Sequence, residues 1–162
     1  MMIEIQPVGK PVQATVKVPG SKSYTNRALL VAALAEGKSH LSGVLFSDDT
    51  ERMLDSLQKL GHQIEIDRDN CTVQMTGNGG KIPVETADLN IGNAGTAARP
   101  LVSYAALGHG TYRFDGAEPM RKSRPMADLL AALRQLGVTV KSKMETSIVF
   151  IRLLKLLIIV PL

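Results

Sequence analysis

The stretch VPGSKSYTNRALLVAALAEG (residues 18–37) sets Lys22, Ser23 and Arg27 at the mouth of an Ala- and Leu-rich run. Pro19 and Gly20 break the segment before it, VQATVKV (residues 12–18), whose apolar residues at every second place predict a half-buried strand. Residues 24–36 predict a helix, with Gly37 as its stop. Arg27 lies four residues after Ser23 and shares its helical face. Helix N-termini present unpaired N–H groups and the positive end of the macrodipole, so they suit phosphate or carboxylate. Ser21 or Ser23 also reads as a plain N-cap.

Outward from this stretch, strand and helix alternate. HLSGVL predicts a short strand, and Asp48-Asp49-Thr50-Glu51 supplies acids and a cap before the helical face of RMLDSLQKL, ended by Gly61. QIEI and TVQM predict two strands joined by a turn over residues 67–70. The order then recurs: ADLNIG as strand, AGTAARPLVSYAAL as helix, TYRFD as strand, MADLLAALRQL as a helix closed by Gly137, and VTVK as strand. Arg27 matched to Arg99, and Leu60-Gly61 matched to Leu136-Gly137, give a spacing of about 72 to 76 residues. The expected fold class is therefore α/β (α+β), built from a repeated β-α-β-α-β-β unit.

The second helix start reads Asn93-Ala94-Gly95-Thr96, with Arg99 three residues after Thr96. Gly92 and Gly95 would let an anion reach the backbone. Arginine supplies a planar fork for an oxyanion and lysine a mobile point charge. Two such ends together would suit a multiply anionic small molecule. Arg27 and Arg99 also read as solvated side chains, and Pro100 as a kink or as a sign that the helix starts later.

Composition narrows the classes. The 162 residues are 44% hydrophobic and 21% charged, enough for one domain with a core, and the net charge of +4 is scattered. Nucleic acid is not indicated, and small anions fit better. Cys71 is the sole cysteine, so no intramolecular disulfide and no cysteine zinc site is expected, and a reducing cytoplasm is the natural compartment. EGKS (residues 36–39) ends like a phosphate loop, but Ala32 stands where that pattern needs glycine, which disfavours nucleotide hydrolysis. His40, His62 and His109 share no metal-ligand spacing and read as surface or turn residues, and Asp48 and Asp49 as helix-starting acids. The N-terminus alternates like a strand rather than a signal segment. SIVFIRLLKLLIIVPL (residues 147–162) is strongly apolar, broken by Arg152 and Lys155, and is short of the about 20 apolar residues of a bilayer span. No membrane partner is expected, and a buried strand or helix or an amphipathic surface segment stays open for it.

PGSKSYTNRALLVAALAEG, DDTERMLDSLQKLG, NIGNAGTAARPL and MRKSRPMADLLAALRQLG, in this order, resemble the N-terminal part of the EPSP synthase (3-phosphoshikimate 1-carboxyvinyltransferase) family. The resemblance runs over residues 7–143. The sister enzyme acting on UDP-N-acetylglucosamine has Lys-Asn where this chain has Lys22-Ser23, and lacks Asn26-Arg27.

The resemblance implies transfer of the enolpyruvyl group of phosphoenolpyruvate to the 5-hydroxyl of shikimate 3-phosphate, releasing phosphate, on the route to aromatic amino acids. It implies addition then elimination through a tetrahedral intermediate, with no metal or organic cofactor. Lys22 would be catalytic, touching both substrates, while Ser23 and Arg27 grip the shikimate phosphate. Asn93, Gly95 and Thr96 would line the phosphoenolpyruvate pocket with Lys22, and Arg124 would clamp that substrate. Arg99 would support the site structurally. Gly95 matches the position where a larger side chain would crowd the inhibitor glyphosate. The complete enzyme would be a cytoplasmic monomer with two lobes of three units each.

On that pattern residues 1–20 are opening strands that cross to the other lobe, and residues 21–143 hold two of three units. Residues 144–162 would be a divergent apolar tail, from truncation or a frame shift, able to invite association. The acid and base carboxylates of the second lobe are not represented, so little turnover is expected from these residues alone. A non-catalytic anion-binding lobe, an inactive fragment and an interaction module using the tail are the other readings.

Overall fold

The computed structural model describes residues 3–5, 7–123, 126–142 and 149–153. Helix α1 (Lys22–Leu34) begins where the Ser21 hydroxyl accepts the Tyr24 N–H at 3.4 Å. It starts two residues before the predicted position because Ser21 is the cap. Ala35 then turns extended and the chain enters β1 (Glu36–Ser42) at once, so Gly37, at φ 91°, lies in the strand.

Helix α2 (Asp48–Lys59) has acids at its positive end and a buried Thr50. The Thr50 hydroxyl accepts the Ser47 N–H at 2.8 Å and reaches the Leu45 carbonyl at 2.7 Å. Its apolar face, Met53, Leu54 and Leu57, is at most 1% exposed. Strands β2 (Ile64–Asp67) and β3 (Thr72–Asn78) form a hairpin whose turn is held by Asp67, which accepts from the Asn70 N–H and side-chain amide. The first sheet has the order β1-β3-β2 and is antiparallel throughout.

The second half contains β4 (Thr86–Asn90), α3 (Gly95–Ala105), β5 (Thr111–Asp115), α4 (Glu118–Ser123), α5 (Ala127–Gln135), β6 (Val138–Ser142) and β7 (Val149–Leu153). Its sheet has the order β4-β5-β7-β6, with β4 and β5 parallel and the other pairs antiparallel. Helix α3 runs through Pro100 without starting late. Helices α1, α2 and α3 pack on one another, and Leu29, Leu57 and Leu101, all fully buried, fill the space among them.

Three expectations change and one open choice is settled. Short α4 follows β5 where no helix was predicted, and Glu118 and Lys122 pair across one of its turns. The apolar end of the chain takes the strand option at β7, between β5 and β6. Residues 12–18 carry no strand, and Val12, Val16 and Val18 are 70% to 76% exposed. Alternation supplies a face, but a strand also needs a neighbour's backbone, and among the described residues none pairs with this segment. His62 is not a surface residue: it is 4% exposed, with Nε2 at 2.6 Å from the Tyr104 hydroxyl.

Candidate active site at three helix starts

The two predicted helix starts meet. Near the start of α1 the Asn26 amide, 1% exposed, donates to the Thr96 hydroxyl of α3 at 3.1 Å. That hydroxyl donates to Asp49 Oδ2 at 2.7 Å, and Lys22 Nζ lies 3.2 Å from the same oxygen. Asp49 belongs to the first turn of α2. One carboxylate thus ties the positive ends of three helices and the Lys22 ammonium. Asn26 Oδ1 is buried without a hydrogen-bond partner.

Beside this knot is an open cavity of about 330 Å³, lined by Ser23, Arg27, Gly95, Thr96, Arg99 and Pro100. The Arg27 guanidinium lies over the Tyr24 ring, 5.0 Å from its centroid, which holds it at the rim. Arg99 reaches back to the Gly95 carbonyl at 3.5 Å. Proline at position 100 cannot donate to the Thr96 carbonyl as a helix residue would, which leaves the first turns of α3 open toward this space. Two guanidiniums, hydroxyls from both helices and the glycine at the start of α3 therefore face one volume. Such a surface can hold an anion with more than one charged group.

The loop before α3 is built separately. The Gly92 N–H donates to Asn90 Oδ1 at 3.0 Å, and the Arg52 side chain lies against Gly92, where an added Cβ would be 3.0 Å from Arg52 Nε. Asp115 accepts a two-pronged contact from Arg121, Nε to Oδ1 and Nη2 to Oδ2, both at 2.8 Å. Burial raises the Asp115 pKa, but the Arg121 hydrogen bond, the Gly116 N–H and the charges of Arg121 and Arg113 outweigh it and hold the carboxyl below its ordinary value. Helix α4 is thereby fixed, through its last turn, to the end of β5.

Lys22, Ser23, Arg27, Gly95, Thr96 and Arg99 thus gather within one neighbourhood. Asn93 is exposed on the loop before α3, where its carbonyl accepts the Gly95 N–H at 3.0 Å. Arg124 lies outside the described residues. Asn26, Asp49 and Arg52 were not among the predicted site residues. Asp49 reads as an ordinary helix-starting acid, and only the meeting of α1 with α3 gives it and Asn26 a second role. Among the described residues no group of three or more His, Cys, Asp or Glu is placed to hold a metal ion. No helix among them is long and apolar enough to cross a membrane.

The model of the EPSP synthase (3-phosphoshikimate 1-carboxyvinyltransferase) family matches residues 7–156, a stretch that includes both helix starts and β7. The chain belongs to the EPSP synthase family. A 3-phosphoshikimate 1-carboxyvinyltransferase of a Nostoc species is 49% identical over 138 residues, covering 85% of this chain and 32% of that protein. The enzyme of that name from Paraburkholderia phymatum is 50% identical over 126 residues, covering 78% of this chain and 28% of its own length. The solved EPSP synthase of Acinetobacter baumannii superposes with a TM-score of 0.75 at 29% identity, over 85% of this chain and 31% of that one. The chain therefore spans about a third of the length of the relatives it matches.

Proposed function

We propose that this chain carries the anion-gripping part of an enolpyruvyl transferase. The full reaction moves the enolpyruvyl group of phosphoenolpyruvate to the 5-hydroxyl of shikimate 3-phosphate and releases phosphate. The observation that carries the reading is the junction of α1 with α3 through Asn26 and Thr96, which sets Arg27 and Arg99 around one cavity and Lys22 beside it on Asp49. Both substrates are polyanions, and such a junction supplies fixed positive potential without reorganisation at the moment of reaction.

In this reading Lys22 exchanges its contact with Asp49 for the substrates and holds charge as the tetrahedral intermediate forms. Ser23 and Arg27 grip the shikimate phosphate, Asn93, Gly95 and Thr96 line the phosphoenolpyruvate side, and Arg124 clamps it. Glyphosate would occupy the same side at Gly95. The chain's own task is binding and positioning: the acid and base groups of the reaction belong to the remaining two thirds of a family member, and the complete protein works as a cytoplasmic monomer. Residues 21–143, with β7 after them, belong to two of that lobe's three units, and residues 1–20 reach toward its partner lobe.

The test is calorimetric titration of the purified chain with shikimate 3-phosphate beside a Lys22→Ala, Arg27→Ala variant. Saturable binding by the chain that weakens at least about tenfold in the variant is expected. A folded chain that binds with equal strength after the double substitution would sink the assignment.

A further inference from the structure

Helices α2 and α3 are joined by a polar bond at each end. At their starts Asp49 accepts from the Thr96 hydroxyl at 2.7 Å, inside the anion site. Just past the end of α2, His62 Nε2 lies 2.6 Å from the hydroxyl of Tyr104, on the last turn of α3. Leu57 of α2 and Leu101 of α3, both fully buried, lie between the two bonds along their helices. With 11 residues, α3 is a short rod. Thr96 and Tyr104 stand about 12 Å apart along its axis.

The bond at the His62 end belongs to a matched set. His62 Nδ1 is 3.3 Å from the Thr76 carbonyl, which can only accept, so the proton sits on Nδ1 and Nε2 is left to accept from Tyr104. Burial keeps both rings neutral, lowering the His62 pKa and pushing the Tyr104 phenol up to about 12. Tyr104 is the titratable group that faces His62 from α3. From β3 the facing groups are the Thr76 carbonyl and the Asn78 side-chain amide, 3.4 Å from Nδ1, and both are neutral. Tyr112 of β5, the neighbour that also raises the Tyr104 phenol, gives its own proton to the Val84 carbonyl at 2.9 Å. Among the described residues no charged side chain lies within ion-pair distance of His62, and Tyr104, 2% exposed, has no second hydrogen-bond partner. When His62 takes up a second proton, Nε2 becomes a donor and the Tyr104 hydroxyl must turn its hydrogen into buried space, which costs the bond.

Given the anion site proposed above, we infer that His62 and Tyr104 are its positioning residues: they pin the far end of α3 so that Gly95 and Thr96, at the near end, meet Asn26 and Lys22. Neither lines the cavity, so both act through α3. Released at its far end, α3 tilts about the Asp49 bond, and the contact from Asn26 to Thr96, 3.1 Å in the pinned state, lengthens. Proton uptake by His62 makes that release in the unaltered chain. The grip on a bound anion therefore weakens in acid by more than the ligand's own titration accounts for.

The experiment joins nuclear magnetic resonance of the full chain, following the His62 ring nitrogens and the Asn26 side-chain amide as pH is lowered from 7.5, with calorimetric titration of shikimate 3-phosphate. The Asn26 signal is expected to move with the midpoint of His62, and that inflection to vanish in His62→Gln. At pH 7.5 Tyr104→Phe and His62→Leu are expected to weaken shikimate 3-phosphate binding about three- to tenfold. His62→Gln, whose side-chain carbonyl accepts from Tyr104 without titrating, restores it. Tyr104→Phe removes a single oxygen and decides the matter where His62→Leu fails to fold. An Asn26 signal indifferent to the His62 titration, or a folded Tyr104→Phe chain that binds as tightly as the unaltered one, would overturn the proposal. A chain that binds no shikimate 3-phosphate fails the anion-site reading instead, and the Asn26 signal alone then decides whether the pin reaches the start of α3.

Discussion

The first half of the molecule, from α1 to β3, and the second, from β4 to β7, hold three strands in the same order, β1-β3-β2 against β5-β7-β6, each antiparallel. Where they differ is the junction before the first helix. The second half completes it structurally, with a parallel strand, a left-handed Gly92 and an N-cap, Ala94, that makes no side-chain bond. In the first half, Pro19, a capping Ser21 and the charged Lys22 replace them. The difference teaches that this frame fixes where a strand meets a helix start, while a few residues at that point decide whether it closes a sheet or presents charge. Asp49 binds to both junctions at once, so the halves act as one site only while α2 holds them together.

The strongest way to break the comparison is therefore to weaken α2. Leu57 is fully buried on its inner face, and Leu57→Ala is expected to cost about 2–5 kcal/mol through lost burial and a residual cavity. Urea unfolding measures the loss, and hydrogen exchange tells whether it spreads. Protection falling in β4, α3 and β5 as well as in α1 and β1 is expected. Unchanged protection in the second half would show two independent units.

Next in size is Asn26→Ala, which removes the side-chain bond from Asn26 of α1 to Thr96 of α3 and keeps the bond from Thr96 to Asp49. The expected cost is about 1 kcal/mol, the low end for a buried hydrogen bond, because the unpaired Oδ1 leaves with the amide. Thermal unfolding checks it. A larger effect on shikimate 3-phosphate binding than on stability would sharpen the comparison, since it would place the coupling of the two junctions within the proposed site.

Much of this arrangement is legible in the sequence where a local rule decides. Ser21, the acids before α2, the Asp67 turn and the alternation of TYRFD each act within a few residues, so helices and strands fall close to their predicted places. The cations at the two helix starts were legible for the same reason. What escaped depends on a distant neighbour. Residues 12–18 have the pattern of a strand but pair with no described strand, Asp49 gains its second role only where α3 arrives, and His62 is buried because Tyr104, on another element, covers it.

His62 gives the first half a pH dependence that the second lacks through any buried histidine. Burial lowers its pKa below the ordinary value, with the Thr76 carbonyl contact opposing in part. Burial, with the neighbouring Tyr112, pushes the Tyr104 phenol up to about 12, so it stays protonated and donates to the neutral imidazole. Because the folded value is depressed, the unfolded chain takes up the proton first. Stability is full above about pH 6.5 and falls as pH drops below it, by at most about 1.4 kcal/mol per pH unit. Melting temperatures between pH 7.5 and 5 are expected to decline for the chain and to flatten in His62→Gln. An identical decline in both would assign the effect elsewhere.

The smallest expected effect tests the junctions directly by making each resemble the other. Ser21→Ala gives α1 the uncapped start of α3, and the contact it removes is long, 3.4 Å, and exposed, so the cost should lie near the low end for a cap, about 0.5 kcal/mol. That corresponds to a melting shift of about 1–2 °C for a chain of this size. Ala94→Ser supplies an acceptor for the first turn of α3, which already has Thr96 and Asp49 at its start, so a gain no larger than the loss at Ser21 is expected. The two shifts together measure what a cap contributes in each half. If Ser21→Ala cost several times more than Ala94→Ser gained, Ser21 would do more than cap: it would set the angle at which the chain before Pro19 leaves α1.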